Sequence, residues 1–154
     1  MNELYFFIGG FILIFIFGNL TLHLYYKRKH EKFLAFLKGK DFVIIKNAKI
    51  DIDISGGRTS YNYHKNIADV VFFKNHIFLL ATSKFLKQAQ PILQISRIGN
   101  NEKFSEIWEE IQYISKMKVE NKLRITGFSM RGSLRINYKI FVNLENKDFC
   151  IQDW

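Results

Sequence analysis

One cysteine, Cys150, and one proline, Pro91, are all that this sequence has of either residue. A lone thiol forms no internal disulfide, which suits a reducing cytoplasm, and Cys150 reads as a small buried hydrophobe. No Lys or Arg precedes position 27. The basic n-region of a secretory signal peptide is therefore missing, and so is its small-residue cleavage site. Asn2 stands where myristoylation needs glycine, and Ile151 where prenylation needs cysteine, so a lipid anchor is not expected. His23, His30, His64 and His76 fall in no metal-ligand spacing, and Ser and His form no nucleophile-elbow signature. No metal, no cofactor and no catalytic residue is expected from these patterns.

The most consequential absence is of charge between Glu3 and Lys27. Leu4 to Tyr26 contains fourteen Leu, Ile or Phe residues, and as a helix it would reach about 35 Å, enough to cross a hydrocarbon core of about 30 Å. Tyr5, Tyr25 and Tyr26 mark its ends as interfacial aromatics do. Lys27, Arg28 and Lys29 follow at once, so the positive-inside rule predicts an N-terminus outside and the rest of the chain in the cytoplasm, at an inner membrane. Phe7, Phe11, Phe15, Asn19 and His23 recur every four residues. Asn19 and His23 thus share a stripe that could contact another helix in the membrane.

Glycine and proline do not cluster anywhere downstream, so no linker or repeat divides the chain. The reading is two parts, a membrane anchor with a juxtamembrane helix over 1–38 and one cytoplasmic domain over 39–154. Lys27 to Lys38 suits a helix with Phe33, Leu34 and Leu37 on one side, ended by Gly39. Period-two patterning then predicts strands over 41–54, bent near Lys46 and Asn47, and over 59–64 after a turn at Ser55, Gly56 and Gly57. The apolar runs 67–73 and 76–82 form a hairpin across Lys74 and Asn75, where Asn75 tolerates positive φ. A strand over 92–97 ends at Gly99, Asn100 and Asn101. Phe104, Ile107, Trp108, Ile111 and Ile114 recur at steps of three and four, the stripe of an amphipathic helix, though Ile111 to Met117 would also suit a strand. Leu123 and Ile125 alternate with polar residues, 128–132 reads as a loop, and 133–144 is the clearest strand.

Seven or so strands with one helix predict a mainly β (α+β) fold, a small antiparallel barrel or sandwich behind a transmembrane helix. A membrane segment followed by a hairpin such as ADVVFFKNHIFLL, residues 68–80, resembles bacterial proteins in which a transmembrane segment precedes a pleckstrin-homology-like (PH-like) barrel. The resemblance covers about residues 41 to 98 and implies a binding module. That family's capping helix follows its last strand, whereas the helix expected here precedes two strands.

Of the net charge of +9, residues 30–154 keep +7, with twenty basic and thirteen acidic side chains. Lys, Asn, Ile and Phe are abundant together, as AT-rich coding produces, so the basic balance does not argue for nucleic acid; an anionic leaflet beside the anchor explains it more simply. Lys122 and Arg124 on one strand and Arg135 and Lys139 on the next would make a basic patch if those strands pair. With Lys27, Arg28 and Lys29, these are the expected contacts to anionic lipid or to a membrane protein partner. Asp51 and Asp53 share a strand face at acid/base spacing, but Lys49 beside them favours a solvated charged surface. The turn 55–60 could cradle a phosphate, but no helix follows it as a P-loop requires, so a plain hairpin is favoured. The function expected is a membrane-proximal binding module with anionic headgroups as its candidate ligand; the alternatives are a protein-interaction or accessory subunit of a membrane complex and an enzyme acting on membrane-derived substrates.

Overall fold

The computed structural model describes residues 2–56, 59–83, 87–99 and 104–144, with backbone only at 2, 59 and 61–66. Cys150, Gly57 and Arg58 of the possible phosphate turn, Asn100 and Asn101, and the side chain of His64 lie outside the described residues. One helix, α1 (Asn2–Leu37), runs without interruption from the apolar segment into the basic one. It is long and apolar enough to cross a membrane. Gly39 ends it at φ +82, with the Lys40 N–H donating to the Leu37 carbonyl.

Seven strands follow: β1 (Val43–Gly56), β2 (Thr59–Phe73), β3 (His76–Thr82), β4 (Ile92–Arg97), β5 (Ile107–Val119), β6 (Lys122–Arg131) and β7 (Leu134–Asn143). They pair in chain order, and β7 closes on β1, so the sheet is a barrel without free edges. Six of the seven pairings are antiparallel and β4–β5 is parallel, which makes the sheet mixed where a wholly antiparallel one was expected. The parallel pair requires a crossover. The chain leaves β4 at one end and enters β5 at the other, with Phe104 before β5 packed outside the wall.

The interior is filled by alternate residues of every strand, including Ile50, Val70, Leu79, Ile95, Ile111, Leu123, Ile125, Ile140 and Val142. A second cluster lies outside the wall. Val71, Phe73, Phe78, Leu80 and Ile92 project from β2, β3 and β4 onto Phe33 and Leu37 of α1, with Phe104 of the crossover among them. The Phe33 and Phe78 rings are 4.6 Å apart and those of Phe78 and Phe104 5.2 Å. This explains why 67–73 and 76–82 are apolar without alternation, since strands buried on both faces read as continuous hydrophobic runs. It also places the seam between anchor and domain inside the helix, because Phe33 and Leu37 are core residues of the barrel's outer wall.

Among the described residues the wall has four register shifts, two of them at Asn47 and Ile114. At Asn47 (φ +54) the β1–β2 register shifts, so Ile44 faces the helix although it shares parity with Ala48 and Ile50, which face inward. The bend was expected at this point, the change of face was not. The Asp69 carboxylate accepts from the Asn47 N–H at 2.9 Å and secures the bulge. In the β2–β3 turn the positive φ falls on Lys74 (+51), not on Asn75. Residues 59–64 and 67–73 are one strand, and 128–131 continues β6, not a loop.

The stripe from Phe104 to Ile114 is not a helix. Phe104 lies in the crossover and Ile107–Val119 is strand β5, with Glu109, Ile111 and Tyr113 toward the interior and Trp108 and Ile114 exposed. Its steps of three and four mix two strand parities. The bulge at Ile114 is matched by Gly127, where a Cβ would stand 2.6 Å from the Gln112 carbonyl oxygen. That contact is to backbone, which cannot give way as a flexible side chain could. Gly127→Ala should therefore cost about 2 kcal/mol. The checking measurement is the urea midpoint of the full chain in detergent, which should fall at unchanged m-value.

Candidate functional site at the mouth of the barrel

One end of the barrel carries the β1–β2 and β6–β7 turns, the end of β3 and the starts of β4 and β5. Glu109, at this end, points inward from β5 among apolar neighbours. Its Oε1 accepts hydrogen bonds from Ser129 Oγ at 2.6 Å and Tyr138 Oη at 2.7 Å. Arg131 completes the cluster, with Nη2 2.6 Å from Oε2 and Nε 3.3 Å from Oε1, a forked pairing. The Glu109 side chain is 10% exposed and that of Arg131 57% exposed, so the pair has a dry side and a wet side. Beside it, Ser96 Oγ donates to Glu110 Oε1 at 2.6 Å on the outer face.

Burial alone would raise the Glu109 carboxyl, but hydrogen bonds from Arg131, Ser129 and Tyr138 and the charge of Arg131 outweigh it and hold the carboxyl below its ordinary value. Burial and the bond to Glu109 push the Tyr138 phenol up to about 12. The cluster is thus a fixed ion pair with a neutral phenol. Every Glu109 oxygen has a donor, which suits binding and orientation better than proton transfer.

Around the cluster lies a cavity of about 500 Å³, walled by Ile52, Ile54, Leu93, Leu134 and Ile136 with Trp108 on its lip. A second hollow of about 550 Å³ adjoins it across Trp108, Glu109 and Arg131. Trp108 and Met130 are more than half exposed at this rim and Leu134 is nearly so.

The β3–β4 loop joins the mouth to α1. Gln88 Nε2 donates to the Asn19 carbonyl at 3.1 Å, the Ala89 N–H donates to His23 Nδ1 at 3.0 Å, and His30 Nε2 lies 2.7 Å from the Gln90 carbonyl, to which it donates. The mouth therefore points back along the helix toward its apolar half, while the opposite end sits at Phe33 and Leu37.

The residues singled out in the sequence fall in three places. His23 bonds the chain's own β3–β4 loop, and the Asn19 amide donates back to the Phe15 carbonyl at 2.8 Å. Lys27 and Arg28 are exposed, and Lys29 lies 3.9 Å from Glu106. Lys122, Arg124, Arg135 and Lys139 do share the outer face of the β6–β7 hairpin, but not one spot on it. Lys122 lies opposite Asn143 and Arg135 opposite Met130, eight positions along β6, about 26 Å at the usual strand rise. Arg135 stacks on Phe128 at 4.1 Å, and Lys139 is in register with Asp53 of β1. Asp51 and Asp53 lie on β1 beside β7, in register with Phe141 and Lys139. Among the described residues no group of three or more His, Cys, Asp or Glu is disposed to hold a metal ion.

Sequence reasoning missed Glu109. The signal was the odd-numbered row Glu109, Ile111 and Tyr113, a carboxylate on the side of a strand that faces the core; Ile107, across a register shift, faces the helix instead. No family model, curated protein or solved structure matches this chain.

The depressed titration of Glu109 fixes the sign of a pH effect. Stabilisation from a carboxylate with a lowered folded-state pKa is complete above the ordinary value of 4.5 and is lost as pH falls through the lower folded-state value. At pH 7 Glu109→Gln should lower stability by about 1 kcal/mol, a figure discounted for the solvent exposure of Arg131. Urea midpoints of the two proteins should converge as pH falls below the ordinary carboxylate value and through the lower folded-state one. A gap that persists there would mean that shape, not charge, holds the cluster.

Proposed function

We propose that this chain is a single-pass membrane-anchored binding module, with its N-terminus outside and its barrel in the cytoplasm against the inner leaflet. The observation that carries the reading is the set of hydrogen bonds from residues 88–90 to Asn19, His23 and His30. Asn19 precedes Tyr26 by seven residues, about 10 Å along the helix axis. With α1 in a bilayer, the barrel's mouth comes to headgroup level and the far end hangs below it.

Trp108, Met130 and Leu134 at the rim, with Arg135 beside them, have the composition of an interfacial surface, aromatic and apolar tips with a cation at phosphate height. Anionic headgroups are accordingly the partner we assign to this rim and to Lys27 and Arg28. The sequence likeness to PH-like domains points the same way, toward binding and not catalysis. A second reading, an accessory subunit, is favoured by the far end, where Phe36, 46% exposed, borders an open cavity of about 810 Å³ with Phe73 and Phe104.

An environment-sensitive fluorophore separates the two ends. In a Cys150→Ser background it is attached at Ser133→Cys, in the exposed β6–β7 turn of the mouth, or at Asn75→Cys, in the exposed turn at the far end. In vesicles containing phosphatidylglycerol the probe at 133 should shift to the blue and be quenched by nitroxide lipid, less so in neutral vesicles, while the probe at 75 stays in water. Equal behaviour at the two positions would sink the reading. Alkaline phosphatase fused after Trp154 should be inactive, as the proposed topology requires.

A further inference from the structure

We infer that the mouth cavity is a binding site for a single-chain amphiphile with an uncharged, hydroxyl-bearing head, drawn from the leaflet on which the barrel sits. The inference rests on the proposed orientation of the mouth, and the experiment below lets the two fail separately.

The chemistry of the wall selects this class. About 500 Å³ is within the range of small-molecule sites, and five of the residues around it are aliphatic, so most of an occupant's surface must be apolar. The polar groups converge on one wall and compensate each other, since the Arg131 guanidinium is forked onto Glu109 and the Tyr138 hydroxyl is spent on the same carboxylate. A second anion there would meet a carboxylate nine-tenths buried, and a cation would have to displace Arg131. A neutral head has neither difficulty, and hydroxyls can bond the outward N–H groups of a guanidinium that carries five donors.

Access selects the source. The aliphatic wall opens at the end of the barrel bonded to Asn19 and His23, between Trp108 on one lip and Leu134 on the other. A chain leaving the bilayer there enters the cavity without exposing its methylenes to water, whose hydrophobic cost is about 0.8 kcal/mol for each. A soluble ligand would have no reason to find an opening held against the anchor.

Trp108 reports on occupancy directly, because Trp154 is the only other tryptophan. The full chain carrying Trp154→Phe is placed in phosphatidylcholine vesicles and titrated with mid-chain brominated monoacylglycerol, with lysophosphatidylglycerol bearing the same chain, and with brominated phosphatidylcholine as the measure of collisions. Quenching by the monoacylglycerol should saturate, and half-saturation by the anionic analogue should need a higher concentration, because the Arg131 charge is already spent on Glu109 and the phosphate would lose its hydration without a free cation to receive it. Leu93→Phe, which fills the cavity, should weaken the saturable component. Leu134→Asn, at an exposed lip where folding is not at stake, should do the same. Collisional quenching by phosphatidylcholine should be unchanged in both. Quenching that rises linearly and alike for all three lipids and both variants would overturn the site while leaving the orientation intact. Tighter binding of the anionic analogue would overturn the assignment of the head. No quenching by any brominated lipid would overturn the orientation and the site together.

Discussion

The whole arrangement depends on one buried contact, the last two turns of α1 against the outer face of β2, β3 and β4. Phe33 and Leu37 are fully withdrawn from solvent there, and burying side chains of that size stabilises by about 1.5–3 kcal/mol each. A helix that ended at the membrane would leave the barrel on a swivel. Here the helix enters the domain's own hydrophobic structure, so the direction of the apolar segment and the direction of the barrel's axis are set together. The parallel β4–β5 pair belongs to the same solution. The residue that leads into β5, Phe104, inserts among Phe33, Phe73 and Phe78 and completes their cluster.

The sequence showed much of this, for reasons that can be stated residue by residue. The apolar segment was legible because an uncharged run of that length is rare in a water-soluble chain. β7 was legible because Leu134, Ile136, Tyr138, Ile140, Val142 and Leu144 alternate without a break. β5 was not, because its bulge at Ile114 and its inward Glu109 both spoil a period of two, and what remains imitates a period of 3.6. The number of strands came out at seven only because two errors offset each other, β2 read as two strands and β5 read as a helix. The candidate site was hidden for the same reason as β5. A carboxylate among Ile107, Ile111 and Trp108 looks like the polar face of a helix until the strand turns it inward. The basic patch was half legible: the faces of β6 and β7 were right, but parity carries no information about distance along a strand.

Glu109 then presents a common problem in a small barrel, a charge near the core. Removing a carboxylate from water costs several kcal/mol, and the neighbours repay this only if they saturate it. Ser129 and Tyr138 come from β6 and β7 and Arg131 from the end of β6, so the donors arrive through the register of three adjacent strands. The bulge at Ile114 and Gly127 lies on those same strands, two residues from Ser129. Errors of register there would move Ser129 to the outer face and leave the carboxylate unpaired, so the cluster helps to select the closed register as well as to line the cavity.

The same distances argue against charge as the force that orients the barrel. On the proposed orientation Lys122 and Arg124 lie about 26 and 20 Å farther from the mouth than Arg135 does, several times the Debye length of about 8 Å at physiological salt. Their attraction to an anionic leaflet is screened to near nothing, and of the residues named only Arg135 and the helix cations remain within reach, since Arg131 is paired with Glu109. Screening does not weaken the hydrogen bonds at Asn19, His23 and His30 in this way, because they act at contact distance beside an apolar helix. The angle between helix and barrel is then a property of the folded chain itself, and on the proposed orientation the basic surface would only adjust affinity for a leaflet toward which the mouth is already turned.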